Sequence, residues 1–369
     1  MPIGDTQRRT LVLRVGKGQE TGDAIERAAE LLRQGGLVAF PTETVYGLGA
    51  DATNMAAVEG IFRAKERPHS DPLIVHLADA SELLTVAAEA PPAAWELAGR
   101  CWPGPLTLIL PRSEAIPAVV AAGGPTVGVR VPSHPVARGL IRAAGVPVAA
   151  PSANRFTHTS PTTAEHVLAD LDGRIDCLLD GGPCAVGVES TVLDLTVEPP
   201  RVLRPGAVTL EALRELLPGI LGPAEASATT SRADMARAPG QMERHYAPQT
   251  RLVIFDAQGE AALAALRAEA EGAVNRGERV GALLADEEVD MLGGLALTVE
   301  RLGSQRDLAE VSRRLYAALR ALDAQGLDVI LAHTFGTEGL GLAIWDRLRR
   351  AAGGEMRQVD AAAQADSHG

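Results

Sequence analysis

LVAFPTETVYGLGADATNMAAVEGIFRAK, residues 37–65, is the stretch on which the fold class turns. LVAF at 37–40 is an apolar run of strand length. Pro-Thr-Glu-Thr then makes a loop, Gly47-Leu48-Gly49 a Gly-rich turn, and the apolar spacing over 54–65 predicts a helix. Upstream, LVLRV (11–15) reads as a strand and 21–34 as an amphipathic helix. That helix has Thr21 and Asp23 at its start, Ile25, Ala28, Ala29, Leu31 and Leu32 on its apolar face, and Gly35-Gly36 as a stop. Downstream, strand-like runs recur at 73–77, 106–110, 126–131, 147–150, 176–180, 190–195 and 201–204. Helical patterns at about 81–89, 92–100, 134–144, 162–170 and 209–217 separate several of them. Such alternation, with some strands directly adjacent, predicts an α/β fold: a twisted mixed sheet with helices packed on it.

The rhythm breaks at 222–240 (GPAEASATTSRADMARAPG), where small and polar residues read as a linker. It resumes at Leu252 with strands near 251–255, 279–285, 296–300 and 328–333 and helices near 258–276, 305–325 and 341–352. The expected organisation is a first domain over 1–220, a linker over 221–249, a second, smaller, Rossmann-like α/β domain over 250–353, and a flexible tail over 354–369.

Composition narrows the function. The net charge of −12 falls equally on 1–250 and 251–369, so neither part is a general polyanion binder and tight nucleic-acid binding is not expected. Cys101, Cys177 and Cys184 show no CxxC spacing and no grouping with histidine, which suits thiols in a reducing compartment rather than a structural metal. No apolar run reaches membrane-spanning length and MPIGDTQRRT lacks a signal-peptide core, so the expected location is the cytoplasm. Of 35 basic residues only Lys17 and Lys65 are lysine, which draws attention to Lys65 inside a patterned segment.

There is no GxxxxGK[ST] loop, no HExxH and no zinc-type histidine spacing. A nucleotide site must therefore be assembled from separate segments. Four carry anion-compatible groups at predicted element ends. In 41–49 (PTETVYGLG), hydroxyls follow a buried strand and glycines allow close backbone approach. In 65–76 (KERPHSDPLIVH), Lys65, Arg67 and His76 flank a turn stiffened by Pro68 and Pro72. In 126–130 (TVGVR), Thr126, Gly128 and Arg130 share a strand face. In 150–160 (APSANRFTHTS), a strand end runs into Ser, Asn and Thr. Taken singly, KER also reads as a cationic helix C-cap, His76 as a core histidine, and Ser152 with Asn154 as an Asx/Ser turn. Arg130 in an apolar strand demands an anionic partner from the protein or from a ligand.

In order and spacing, PTETVYGLGADA, IFRAKERP, DPLIVH, WPGPLTLIL, TVGVRVP, APSAN and VESTVLDL together resemble the YrdC-type threonylcarbamoyl-AMP synthases over about 42–206. PGQMERHYAP at 239–248 resembles the linker of their longer, two-domain form, and GTEGLGLAIWDRLRRAA the end of its second domain. The resemblance implies synthesis of L-threonylcarbamoyl-AMP from L-threonine, bicarbonate and ATP with release of pyrophosphate. It also implies a downstream tRNA threonylcarbamoyl transferase complex that uses the product beside the anticodon. Carried over by position, Thr44, His76, Arg130, Ala150 and Ser190 form the threonine pocket. Lys65, Arg67, Asp71, Thr126, Ser152, Asn154, Ser160, Arg204 and Tyr246 form the ATP side, with Lys65, Arg67 and Arg204 as the catalytic cations. Mg2+ is expected with ATP, held by phosphates more than by a protein cage. Many relatives have a neutral residue where Asp71 stands, and an acid there repels phosphates unless Mg2+ or Arg67 intervenes. Tyr246 is expected to reach the nucleotide as part of a lid.

Two other readings share features with this one. Hydrogenase-maturation proteins with a YrdC core transfer a carbamoyl group, but their zinc-finger and acylphosphatase-like modules are not visible here. An RNA-binding factor built on the same core runs against the acidic balance.

Overall fold

The computed structural model describes residues 9–16, 19–227 and 237–359. The chain divides into two units, Met1–Phe156 with Ser160–Gln241, and Thr157–Thr159 with Met242–Gly369.

In the first unit, β1 (Leu11–Arg14), β2 (Val38–Phe40), β3 (Gly47–Asp51), β4 (Ile74–His76), β5 (Leu106–Pro111), β6 (Thr126–Arg130), β7 (Val148–Ala149), β8 (Cys177–Asp180), β9 (Thr191–Asp194) and β10 (Arg201–Arg204) join one sheet. Their order is β1-β8-β2-β3-β7-β4-β6-β5-β9-β10, with parallel and antiparallel pairs mixed, as expected. Alternation along β2 shows why both faces are covered. Val38 and Phe40 enter a core with the helices Gln19–Arg33 and Pro135–Ala144, while Leu37 and Ala39 enter the core that holds the helix Met55–Lys65.

Two local expectations differ from the structure. Gly47-Leu48-Gly49, expected as a turn, belongs to β3, paired with β2 and β7. The glycines obscure the strand in the sequence yet permit it in space. A Cβ on Gly49 would lie 2.7 Å from Phe40 and 2.8 Å from Val148. The helix expected over 81–89 shrinks to a short 3-10 turn, Ala80–Glu82, and one α-turn, Leu83–Val86. Ala87 and Ala88 instead bond across to Arg112 and Pro111, so tertiary pairing overrides helical spacing.

The second unit holds a five-stranded sheet, β13-β12-β14-β11-β15, from β11 (Arg251–Asp256), β12 (Val280–Leu284), β13 (Leu297–Arg301), β14 (Val329–His333) and β15 (Met356–Gln358). Its pairs are parallel, with helices Gly259–Asn275, Leu308–Asp323 and Leu340–Ala352 between strands. β15 lies within the stretch expected to be a flexible tail. Its three residues are too few to show alternation, and its pairing with Ile254–Asp256 is long-range. The rest of that stretch, 360–369, falls outside the described residues. Within the expected linker, residues 228–236 also fall outside them. Of the described remainder, 242–244 are exposed, but the flanking residues are not. Ala238, Pro239 and Gly240 are buried in the first unit, and His245, Tyr246 and Ala247 are buried in the second.

Candidate active site

The helix Met55–Lys65 opens on Asn54, whose side chain accepts from the amides of Ala56 and Ala57, and closes on Glu66 in the left-handed region at φ 57°. That reversal sends Lys65 and Arg67 inward. Lys65 Nζ donates to the carbonyls of Ser152 and Asn154. Burial, and then the charge of Arg67, pull the Lys65 ammonium well below the ordinary lysine range. Arg67 donates through Nε to the Asp71 carbonyl (3.1 Å) and through Nη2 to the Pro72 carbonyl (2.7 Å), and pairs with the Asp71 carboxylate at 3.0 Å. The other Asp71 oxygen accepts from the Gly240 amide at 3.4 Å. The Asp71 carboxylate is thus neutralised from within the protein.

β4 and β6 run parallel, with Ile74 opposite Gly128 and His76 opposite Arg130. Thr126 therefore starts β6 at the end nearer Pro72, and Arg130 finishes it beside His76. Four residue steps along the strand separate them, about 13 Å. Thr126, expected for ATP, and Arg130 with His76, expected for threonine, lie at opposite ends of this pair, while Ala150 bonds to Ile74 between them.

Around Arg130 the contacts are dense. Its Nη1 donates to Thr44 Oγ1 at 3.0 Å, its Nε to the Gly104 carbonyl at 3.2 Å, and its Nη2 lies 2.7 Å from the Glu43 carboxylate. Thr44 Oγ1 also shares a hydrogen bond with Thr42 Oγ1 at 2.8 Å. Burial pushes the Glu43 carboxyl up, but Arg130 outweighs it and the carboxyl stays below its usual range. His76 goes the other way: burial, reinforced by Arg130, lowers it to about 3, so its ring is neutral at physiological pH. The Ala150 amide bonds to the Ile74 carbonyl, so Ala150 offers the site only a methyl and backbone.

At the sheet's far side, pairing slips between Val202 and Arg204 as β10 meets β9, and such a bulge re-aims a side chain. Arg204 Nη2 reaches the Ser190 carbonyl (2.9 Å) and hydroxyl (3.1 Å), and its Nη1 reaches the Pro239 carbonyl (3.2 Å). Ser190 Oγ also bonds to Thr107 Oγ1 at 2.8 Å, and Ser160 Oγ donates to Glu189 at 2.6 Å. Backbone bonds knit these loops together: Gly187 to Thr44, Ala153 to Tyr46, Tyr46 to Pro161, and a bridge from Gly47 to Ser152.

Tyr246 belongs to the second unit, with φ 61°. Its ring lies 4.1 Å from that of His245 and 5.9 Å from that of Tyr316, and the Arg347 guanidinium sits 5.1 Å from its centroid. Thr42, Glu43, Gly104, Thr107, Glu189, Pro239 and Gly240 also contact expected site residues. None is itself among them, although each falls within one of the quoted motifs. Among the described residues no three His, Cys, Asp or Glu side chains group as a metal site. None of the described helices is long and apolar enough to cross a membrane.

Residues 30–206 match a Sua5/YciO/YrdC family profile described as telomere recombination. Residues 208–353 match one described as the C-terminal domain of threonylcarbamoyl-AMP synthase. A threonylcarbamoyl-AMP synthase of Pyrococcus abyssi is 44% identical over 342 residues, covering 91% of this chain and 96% of that protein. One from Bacillus subtilis is 45% identical over 334 residues, covering 90% and 94%. A crystal structure of the Pyrococcus abyssi protein Sua5 complexed with L-threonine superposes with a TM-score of 0.87 at 41% identity, covering 95% of this chain and all of that one.

Proposed function

The chain belongs to the two-domain threonylcarbamoyl-AMP synthases of the Sua5/YrdC family, and from that premise we propose that it condenses L-threonine, bicarbonate and ATP into L-threonylcarbamoyl-AMP. The observation that carries the substrate reading is a set of buried basic side chains, two of which are held by neutral acceptors. Lys65, Arg67, Arg130 and Arg204 are each buried. Asp71 and Glu43 match two of them, whereas the contacts holding Lys65 and Arg204 run to carbonyls and a hydroxyl. Buried cations held only by neutral acceptors suit a polyanionic ligand.

The chemistry then divides between an amino-acid pocket around Arg130 and a nucleotide side that carries Lys65, Arg67 and Arg204. Arg130 holds the threonine carboxylate, with Thr44, neutral His76, Ala150 and Ser190 enclosing the side chain. The threonine amine takes up bicarbonate with loss of water, giving a carbamate. A carbamate oxygen bonds to the α-phosphorus of ATP while the bond to the departing pyrophosphate breaks. Lys65, Arg67 and Arg204 stabilise the charge that builds on the phosphoryl oxygens, and Thr126, Ser152, Asn154, Ser160 and Asp71 line the nucleotide side. A triphosphate beside Lys65 also restores the proton affinity that burial removes. No covalent enzyme intermediate is needed, so the protein acts by positioning and by keeping water from the labile carbamate. Mg2+ bound with ATP would supply further charge neutralisation, and Asp71, engaged by Arg67 and the Gly240 amide, would not be free to hold it.

The acidic chain supports making and releasing a small activated intermediate, with a separate transferase complex modifying tRNA. Incubation with 13C-bicarbonate, ATP and L-threonine tests the proposal. The label should appear in a threonine-containing adenylate; formation of that adenylate without label would refute the carbamate route.

A further inference from the structure

Glu43 stands in the expected threonine pocket without a role in the reaction just described. Its carboxylate is buried, at 7% exposure, and a buried charge is retained only where another group compensates it. The compensating group is Arg130, 2.7 Å away. Arg130 is clasped on three sides, by Gly104 at Nε, Thr44 at Nη1 and Glu43 at Nη2. The Glu43 contact differs in kind from the other two. It is a charged pair rather than a bond to a neutral oxygen, and the Glu43 carboxylate is also held by the backbone amides of Glu43 and Ser133. Nη2 carries two N–H groups, so its contact with Glu43 leaves one for a second carboxylate. Glu43 meanwhile fixes where the guanidinium sits and offsets its charge.

We infer that Glu43 is a positioning residue for amino-acid recognition: it holds Arg130 so that its uncommitted N–H edge meets the α-carboxylate of the substrate. Glu43 does not touch that carboxylate itself, since like charges at that distance repel. Its local partners make the arrangement stiff. The Val186 amide bonds to the Glu43 carbonyl and the Gly187 amide to the Thr44 carbonyl, tying the PTET loop to the segment that leads to Ser190. Substrate specificity for a carboxylate-bearing ligand then depends on a residue one step removed from it.

The inference rests on the reading of Arg130 as the carboxylate holder, so Arg130→Ala is measured alongside. Steady-state KM for L-threonine and for ATP, and the melting temperature, are compared for wild type, Glu43→Gln, Glu43→Asp and Arg130→Ala. Glu43→Gln should raise the threonine KM at least tenfold, leave the ATP KM within about twofold, and keep a cooperative melt. Glu43→Asp, which keeps the charge at a shorter reach, should recover part of the loss. An unchanged threonine KM in a folded Glu43→Gln overturns the inference. So does a matched rise in both KM values accompanied by loss of melting temperature, which is the mark of a merely structural role. If Arg130→Ala leaves the threonine KM untouched, it is the underlying assignment of Arg130 that fails.

Discussion

Arg67 and Asp71, four residues apart across the Pro68 turn, form a buried ion pair at 3.0 Å, and Asp71 turns its second oxygen to the amide of Gly240. The acid is therefore a structural counterion and a latch for the segment after residue 236. Asp71→Ala leaves Arg67 uncompensated, and loss of one member of a buried pair costs about 3–5 kcal/mol. Thermal and urea melts should show a loss of this size, whereas Asp71→Asn, which still accepts from Gly240, should lose less.

Arg130→Ala should raise the threonine KM by about a hundredfold or more, the scale of losing a charge-assisted bidentate contact. The ATP KM should move far less. Arg130→Lys should rescue little, because an ammonium cannot present the same planar fork.

Arg204→Ala is expected to act mainly on ATP. Arg204 also orders Ser190 through its carbonyl and hydroxyl, so a smaller rise in threonine KM should accompany the larger rise in ATP KM. Steady-state kinetics with each substrate varied in turn reads the ratio. A dominant threonine effect would contradict the placement of Arg204 on the phosphate side.

His76 gives a signed pH prediction. Its folded-state value of about 3 lies below the ordinary 6.5. As pH falls below 6.5, the unfolded chain takes up a proton that the native state refuses, so stability falls with acidification, by at most about 1.4 kcal/mol per pH unit from this residue. His76→Phe should flatten the melting temperature between pH 6.5 and 5, above the range where Glu43 begins to titrate. An equally steep slope in the variant would show that the native His76 is not held neutral.

The parts of this molecule that were legible in the sequence are those written locally. Helix Met55–Lys65 has its Asn54 cap, and the strands at 106–110 (LTLIL) and 126–130 (TVGVR) are short runs rich in aliphatic and β-branched residues. β3 was not legible because the glycines that let Phe40 and Val148 approach are also turn residues, and Gly49→Ala should cost about 1–3 kcal/mol by overpacking there. Candidate site residues emerged as motif clusters, yet their pairings did not. Glu43 meets Arg130, and Asp71 meets Gly240, only because distant strands and loops come together. Propensity carries no information about such contacts.

This chain is expected to make a threonine-derived adenylate. The most direct measurement is pyrophosphate release from ATP and bicarbonate with each amino acid in turn, with mass detection of the nucleotide product. The account predicts L-threonine-dependent release and a product with the mass of threonylcarbamoyl-AMP. Release that does not depend on threonine, or a product lacking the carbamoyl carbon, would contradict it.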